Sequence, residues 1–471
     1  MVELPRVVSC IKHGSPKDQT YFIIDTSDGF AAEEAHGDLP LAVGDIVEET
    51  ESGALAPSKK AYGKDELRLE AKKSSSSLIR KGKYITGNSE IDQITSRMKS
   101  KLDDIAELIV RKMMLCAPIV VRFHNDADGS GGAYALYLSV RDFASSHSLK
   151  TNFVWLMQRG VSYSRQDAEN DILITNNYEC IEKPLLVIID FGTNPESNQG
   201  IGAVKDRFDI AWLDHHPIVP DFAGLELPGY VNTWQFGGDS NYTAGLLTSV
   251  MCKSFSKVDT SEMEGASLIG DYSDYATEKG ADMSALLDFV TSDLQAIYGP
   301  GKMNVTPQEI DAIVADKEKS RELLEYANMR MEEALDNGIK SIRKYSLRSA
   351  NLAVLDFEDI RSEDSKYPLP GRYASKLLDR LDEKGMKRTV LVVSVGSYLL
   401  MRIDKDLCAD FDLTRAMDEM KNRYPDEIAG GGGHRCAGSI KLKFKELGRQ
   451  MTASLVGIIR AELGPKEISE D

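Results

Sequence analysis

The chain has 471 residues, enough for two or three domains with cores of their own, and a net charge of −17 that weighs against a surface binding polyanions everywhere. No run approaches the roughly 18 to 20 apolar residues of a membrane span, and the start Met-Val-Glu-Leu-Pro-Arg lacks a signal-peptide pattern, so a cytoplasmic protein with no membrane partner is expected. The six cysteines (Cys10, Cys116, Cys180, Cys252, Cys408, Cys436) include no Cys-x-x-Cys pair, which suits a reducing compartment and argues against a zinc ribbon or disulfide framework.

In chain order, residues 1–75 read as a small β domain. Arg6–Ile11, Tyr21–Ile24, Val43–Val47 and Leu67–Leu69 are strand-like, and Asp25-Thr-Ser-Asp-Gly29 is turn chemistry. Phe22-x-Ile24-Asp25-x-x-Asp28-Gly29 followed by Val43-Gly44-Asp45-x-Val47 resembles an OB-fold, which implies a nucleic-acid-binding domain with a base-stacking surface. From Ser58 to Lys83, nine lysines and arginines face only Asp65, Glu66 and Glu70. That stretch reads either as a solvated linker or as a basic lip that holds a strand. Residues 76–117 then read as hinge and helix. Lys72-Lys-Ser-Ser-Ser-Ser77 is the polar hinge, and Ile91, Ile94, Met98, Leu102, Ile105, Leu108 and Ile109 repeat at helical spacing, predicting an amphipathic helix over 89–115.

Residues 118–280 alternate strands and helices, the pattern of a parallel sheet wound with helices. Residues 281–345 turn helical, with Thr306-Pro-Gln-Glu309 as a helix start and Leu323 to Ile342 as one long face. Residues 346–471 begin a second α/β unit: Leu352–Leu355 and Thr389–Val395 are strand-like, Tyr373–Leu381 and Leu413–Tyr424 helical, Ile440–Phe444 an alternating strand, and the tail from Gly464 frayed.

Three apolar runs stop at metal-ligand chemistry. Pro118–Phe123 ends in His124-Asn-Asp126-Ala-Asp128-Gly129, Leu185–Ile189 ends in Asp190, and Phe208–Leu213 ends in Asp214-His215-His216. Strands that end on carboxylates and imidazoles direct hard-metal ligands into one crevice, as a two-metal phosphoesterase requires. His13, His36 and His147 sit in plain polar segments. Carboxylates with imidazole and no thiolate suit two divalent ions, Mn2+ first and Mg2+ second, over structural zinc. Glycines 430–433 are a flexible loop or, ending in His434-Arg435, a run of backbone N–H groups that cradles a phosphate.

His124-x-Asp126-x-Asp128-Gly129, Asp190-x-Gly192, Asp214-His215-His216 and Gly270-Asp-Tyr-Ser-Asp274 resemble, in order, the four motifs of the DHH phosphoesterase superfamily. Gly430-Gly-Gly-Gly433-His434-Arg435-Cys436-Ala437-Gly438 resembles the glycine-rich signature of the DHH-associated domain. With the OB-like start, the chain is similar to an archaeal RecJ-type nuclease. The resemblance implies a bilobed α/β enzyme: a DHH catalytic domain with a parallel sheet, a C-terminal DHH-associated α/β domain that holds substrate, and an N-terminal OB-like β domain. It implies His124, Asp126 and Asp190 at one metal, with Asp128, Asp190, His215 and Asp274 at the other. Asp274 is preferred to Asp271 because the family spaces Gly and Asp by three residues. Asp214 would orient a histidine and His216 would face the scissile phosphate. Gly431, Gly432, Gly433, His434 and Arg435 would hold substrate, as would Arg372, where a solvated helix-start arginine is the alternative. The family's Ser-x-Arg-Ser stretch is here Leu400-Met401-Arg402-Ile403, with only Arg402 kept. The implied activity is exonuclease action on single-stranded DNA or RNA in replication and repair, with the replisome's GINS complex as a further partner. The rivals are an oligonucleotide or cyclic-dinucleotide phosphodiesterase of the same superfamily and a GINS-binding scaffold.

Overall fold

The computed structural model describes residues 6–464 apart from 15–17, 81–83, 85, 294–296, 298–301, 303, 361–366 and the side chains of 61 and 434. The frayed tail expected after Gly464 lies outside the described residues. The chain divides into two compact units, Met1–Leu287 with Thr306–Gln308 and Asp288–Val305 with Glu309–Asp471. Among the described residues no helix is long and apolar enough to cross a membrane.

The first unit opens with five strands: β1 (Arg6–Lys12), β2 (Thr20–Asp25), β3 (Ala31–His36), β4 (Asp45–Glu49) and β5 (Leu55–Ala61). They lie antiparallel in the order β3-β2-β1-β4-β5, the strand order of an opened OB barrel. The base-stacking surface expected of it is not there. Tyr21, Phe22 and Phe30 are buried in the core, and among the described residues of 6–61 no aromatic side chain is exposed. β3 instead shows Glu33 and Glu34 to solvent.

Two readings of the following segment need correction. Leu67–Leu69 is not a strand and Lys72–Ser77 is not a hinge: both belong to helix α1 (Lys64–Leu78). Leu67, Ala71 and Ser75, four residues apart, form its buried stripe. Within this helix Ser75 and Ser77 satisfy their hydroxyls by donating back to the carbonyls of Lys72 (3.0 Å) and Ser74 (2.7 Å). Helix α2 (Ser89–Met114) matches its expected span. Asn88 caps it by accepting from the N–H groups of Glu90 and Ile91, and its apolar face runs from Ile91 to Met114 in the core.

The chain then alternates through β6 (Pro118–His124), α3 (Ala127–Ser146), β7 (Asn152–Gln158), α4 (Arg165–Thr175), β8 (Tyr178–Cys180), β9 (Leu185–Ile189), α5 (Asn198–Val204), β10 (Asp209–Asp214) and β11 (Tyr230–Asn232). Helices α6 (Ala244–Cys252) and α7 (Ser261–Gly270) follow, then α8 (Ala281–Ser292), whose last residues from Asp288 on belong to the second unit. β11-β10-β9-β6-β7 is a fully parallel sheet. In chain order this is 2-1-3-4-5, a doubly wound sheet whose winding reverses between β6 and β9, and ligands bind at the strand ends there. β8 leaves this sheet and pairs with β1, Cys10 opposite Cys180. One apolar core runs from Val7 through α2 and the sheet to Leu268, so the N-terminal strands are a layer of this unit.

The second unit carries α9 (Pro307–Ala315), α10 (Lys317–Ser341), β12 (Arg343–Ser346), β13 (Asn351–Asp356), α11 (Pro370–Glu383), β14 (Thr389–Val395), β15 (Tyr398–Ile403), α12 (Leu413–Arg423), β16 (Ile428–His434), β17 (Ala437–Leu442) and α13 (Gly448–Leu463). Its sheet runs β12-β13-β14-β15-β17-β16. Two cysteine pairs, unexpected from the sequence, are bonded: Cys10 with Cys180, and Cys408 with Cys436. Cross-strand neighbourhood explains the first, since β1 and β8 set the two residues opposite each other. Cys116 and Cys252 are buried thiols.

Beneath the sheet Arg122 is buried, and its Nε donates to both oxygens of Asp171 (2.9 and 2.7 Å). Tyr163 also donates to Asp171 at 2.8 Å. Removing one partner strands the other charge. Arg122→Met is expected to lower stability by about 3–5 kcal/mol in urea unfolding followed by tryptophan fluorescence. Adding Asp171→Leu should recover most of that loss.

Candidate metal centre

All three ligand-bearing strand ends meet at the switch point. β6 delivers His124, and Asp126 two residues later caps α3, accepting from the Gly129 N–H at 3.0 Å through Oδ1. Its other oxygen lies 2.5 Å from Nδ1 of His124. Residue 129 must be glycine here, because a Cβ would stand 2.4 Å from the His124 carbonyl oxygen. Asp190 follows β9 in the left-handed region (φ 67°) and is 2% exposed. Its Oδ2 is 3.7 Å from Nδ1 of His124 and its Oδ1 is 3.2 Å from Nε2 of His215.

Asp128, fully buried in the first turn of α3, accepts from the N–H groups of Ala244 (3.0 Å) and Gly245 (2.7 Å) at the start of α6, and from the Ser267 hydroxyl. His215 Nε2 stands 3.5 Å from Asp128 and 3.0 Å from Asp271. The ring is aimed inward because its Nδ1 bonds the Ser240 carbonyl at 2.8 Å. Asp214 is buried and holds the next turn together. It accepts from Thr193 Oγ1 (2.5 Å), the N–H groups of His215 (2.8 Å) and His216 (3.2 Å), and meets Nδ1 of His216 at 2.8 Å. The other nitrogen of His216 therefore faces outward on a side chain that is 51% exposed.

The electrostatics are those of crowded carboxylates. Burial, then the charge of Asp271, pushes Asp128 up to about 6 against the pull of His215. Burial, then Asp128 and Asp126, raises Asp190 well above the carboxylate range. Burial acts against ionisation of His215 and His124, but the carboxylates facing them, Asp271 and Asp126 first, overcome it and raise both. Burial likewise opposes the Asp126 and Asp214 carboxylates, yet His124 and His216 hold them below the usual range.

This arrangement fits two cations. His124, Asp126 and Asp190 bring ligand atoms together on one side, and Asp128, His215 and Asp271 on the other. Asp190 Oδ1 and His215 Nε2 are buried without a hydrogen bond, the condition of ligand atoms awaiting a cation. An all-oxygen-and-imidazole set suits a hard divalent ion.

The preference for Asp274 needs correction. Helix α7 ends at Gly270, Asp271 is its C-cap, and Tyr272 turns left-handed (φ 53°). The carboxylate of Asp271 thus enters the cluster, while Asp274 is exposed with its N–H on Asn241 (2.9 Å). Asp271→Asn is expected to weaken Mn2+ binding roughly 10- to 100-fold by calorimetry, with Asp274→Asn near wild type.

In the second unit the glycine run is a strand and not a flexible loop. β16 pairs with β17 from Ile428↔Leu442 to His434↔Ala437, and a Cβ on Gly431 or Gly433 would lie 2.4 or 2.3 Å from the neighbouring strand's carbonyl oxygen. β16 is the sheet's edge, and Gly432 faces open space. The His434 side chain lies outside the described residues. Arg402 pairs across β15 with Ala437, and its Nε donates to Ser375 Oγ at 3.1 Å. Arg372 is not a solvated helix-start arginine: it stands 3.4 Å from the buried Asp288. Arg435 is exposed and donates to the Ala409 carbonyl at 2.8 Å.

Residues that escaped the sequence reading are the supports: Thr193, Asn232, Ser240, Ser267 and the half-exposed Trp234, whose Nε1 donates to the His215 carbonyl at 3.0 Å. None has a spacing that marks it.

Protons and cations compete for the same carboxylates. A raised pKa means that more protons must leave on binding, so Mn2+ affinity should rise as pH is raised from 5 through about 6, where Asp128 ionises. It should continue upward beyond that as His124 and His215 deprotonate. Titrations at pH 5, 6, 7 and 8, with proton release read from buffers of different ionisation heat, check the sign.

No family model matches the chain. A relative, an uncharacterized protein of Methanocaldococcus jannaschii (MJ1198), is 23% identical over 417 residues, covering 76% of this chain and 54% of that protein. The chain thus spans about half the length of that relative. Among solved structures, one described as a member of the s1p family of ribosomal proteins, PF0399 DHH domain, has a TM-score of 0.70 at 19% identity, over 85% of this chain and 98% of that one. RecJ from Thermus thermophilus in complex with Mn2+ has a TM-score of 0.48 at 13% identity, over 78% and 56%. The first of these likenesses shows that the chain has the DHH-domain fold, as its motifs led one to expect.

Proposed function

We propose that this chain, built on the DHH-domain fold, is a metal-dependent phosphodiesterase that shortens single-stranded DNA or RNA from an end. The observation that carries the reading is Asp190: one buried carboxylate presents one oxygen toward the His124–Asp126 side and the other toward the His215–Asp128–Asp271 side. Two divalent ions bound there would supply Lewis-acid activation of water and screening of charge on phosphorus. His124, Asp126 and Asp190 would hold the first ion, and Asp128, His215, Asp271 and Asp190 the second. Asp214 orients His216, whose outward nitrogen donates to a non-bridging phosphate oxygen. The bonds that hold His216 are made before substrate arrives, so its donor needs no reorganisation during the reaction. Action on long strands is supported by the ordered motifs and the C-terminal signature. A replisome partner such as GINS rests on the sequence resemblance alone.

A second reading, hydrolysis of short oligonucleotides or dinucleotides, is favoured by the N-terminal sheet, which exposes acidic residues and no aromatic ring among its described residues.

End-labelled single-stranded DNA, single-stranded RNA and a dinucleotide, each with Mn2+ or Mg2+, separate the two. Stepwise shortening of the strands, reduced at least about 1,000-fold in Asp190→Ala, is the expected result. Cleavage of the dinucleotide alone establishes the second reading. Failure of a folded, Mn2+-binding wild type on all three overturns both.

A further inference from the structure

Trp234 offers no ligand atom to the metal centre, yet the fold fixes it beside that centre. β10 and β11 run parallel with Asp214 opposite Asn232, so two residues further on His216 and Trp234 leave the same sheet edge side by side. Asn232 ties them together: its Nδ2 donates to the His216 carbonyl (2.9 Å) and its Oδ1 accepts from the Trp234 N–H (3.0 Å). The indole is then locked by its own N–H on the His215 carbonyl. With its polar edge used, the ring offers apolar surface, and Trp234 is 42% exposed. Among the described residues of the first unit no other Phe, Tyr or Trp is exposed; Trp212 is wholly buried. Two cations on one face of α2 reach backbone that precedes and follows Trp234 in the chain. Arg97 donates to the Phe236 carbonyl (3.1 Å), and Lys101, one turn on, to the Pro228 carbonyl (3.4 Å). An open aromatic face tied to the backbone of His215 and His216 is what a nucleobase next to a bound phosphate would meet.

We propose that the exposed face of Trp234 is a stacking platform for the nucleobase next to the phosphate held at the metal centre, so that the site selects nucleotide-bearing phosphodiesters without regard to base identity. The inference rests on the phosphodiesterase reading for where the phosphate lies. Every base has a π face, so stacking confers affinity and no sequence preference. The platform takes over, at the metal centre, the task that the N-terminal sheet's buried aromatics cannot perform.

The test compares wild type, Trp234→Leu and Trp234→Phe on a dT 12-mer and on a 12-mer whose terminal two sugars lack bases. Trp234→Leu should raise KM for the dT strand roughly 10- to 100-fold with kcat within about 3-fold. The loss on the abasic strand should be much smaller, and Trp234→Phe, which keeps a ring but loses the Nε1 bond, should restore most of the KM. Equal losses on both strands, or no rescue by phenylalanine, would show that Trp234 only supports the His215 backbone and would overturn the proposal. Binding is read separately in Asp190→Asn, where the dT strand should quench tryptophan fluorescence and the added Trp234→Phe change should abolish the quench. Quenching without hydrolysis in the wild type keeps the platform and sinks the enzyme reading. Hydrolysis without quenching keeps the enzyme and sinks the platform.

Discussion

A single carboxylate that cannot be comfortably ionised holds this structure's logic. Asp190 is buried, ringed by Asp126 and Asp128, and carried on a backbone conformation that costs a non-glycine residue about 1–3 kcal/mol. The parallel sheet bears that cost, because β9 is its central strand, paired to β6 on one side and β10 on the other. Remove positive charge from the centre of the cluster and the carboxylates must share protons. Supply it and every buried acid there finds a partner. The fold is thus stable around an electrostatic deficit that a cation relieves.

The same economy governs the two histidines. His215 and His216 are adjacent in sequence but face opposite ways, because each Nδ1 has a different partner: a loop carbonyl from Ser240 for one and the Asp214 carboxylate for the other. Neutral oxygen and charged oxygen thereby assign one imidazole to the interior and the other to solvent. The consecutive pair is two tools with separate handles.

Much of this was legible in residues 118–216, where each apolar run stops on its ligand and the strand bounds follow directly from the β-rich runs. The amphipathic period of α2 was equally plain. The errors share one cause, the decision of local chemistry by distant contacts. The serine run Ser74–Ser77 looked like a hinge, but a buried stripe against the core makes it helix. Four glycines looked like a loop or a cradle, but they pair with β17, and at Gly431 and Gly433 there is no room for a Cβ. Asp271 and Asp274 differ by one turn of chain, and a left-handed Tyr272 decides between them. The supports Ser240, Asn232 and Ser267 carry no signature at all, since a carbonyl or hydroxyl in the right place can come from any polar loop. The aromatic residues of the OB-like strands were visible, but which face they occupy was not.

The pairing of β8 with β1 sets an order of assembly. β1 can meet β2 and β4 as soon as they emerge from the ribosome, but its other contact, Cys10 opposite Cys180, needs 170 further residues of chain. In between come α2 and β6, whose side chains complete the core under the N-terminal strands. The N-terminal strands are therefore closed by a contact of long sequence separation, the kind that costs most loop entropy to form. A region that reads from sequence as a domain of its own thus has its full set of strand partners only with the domain it precedes.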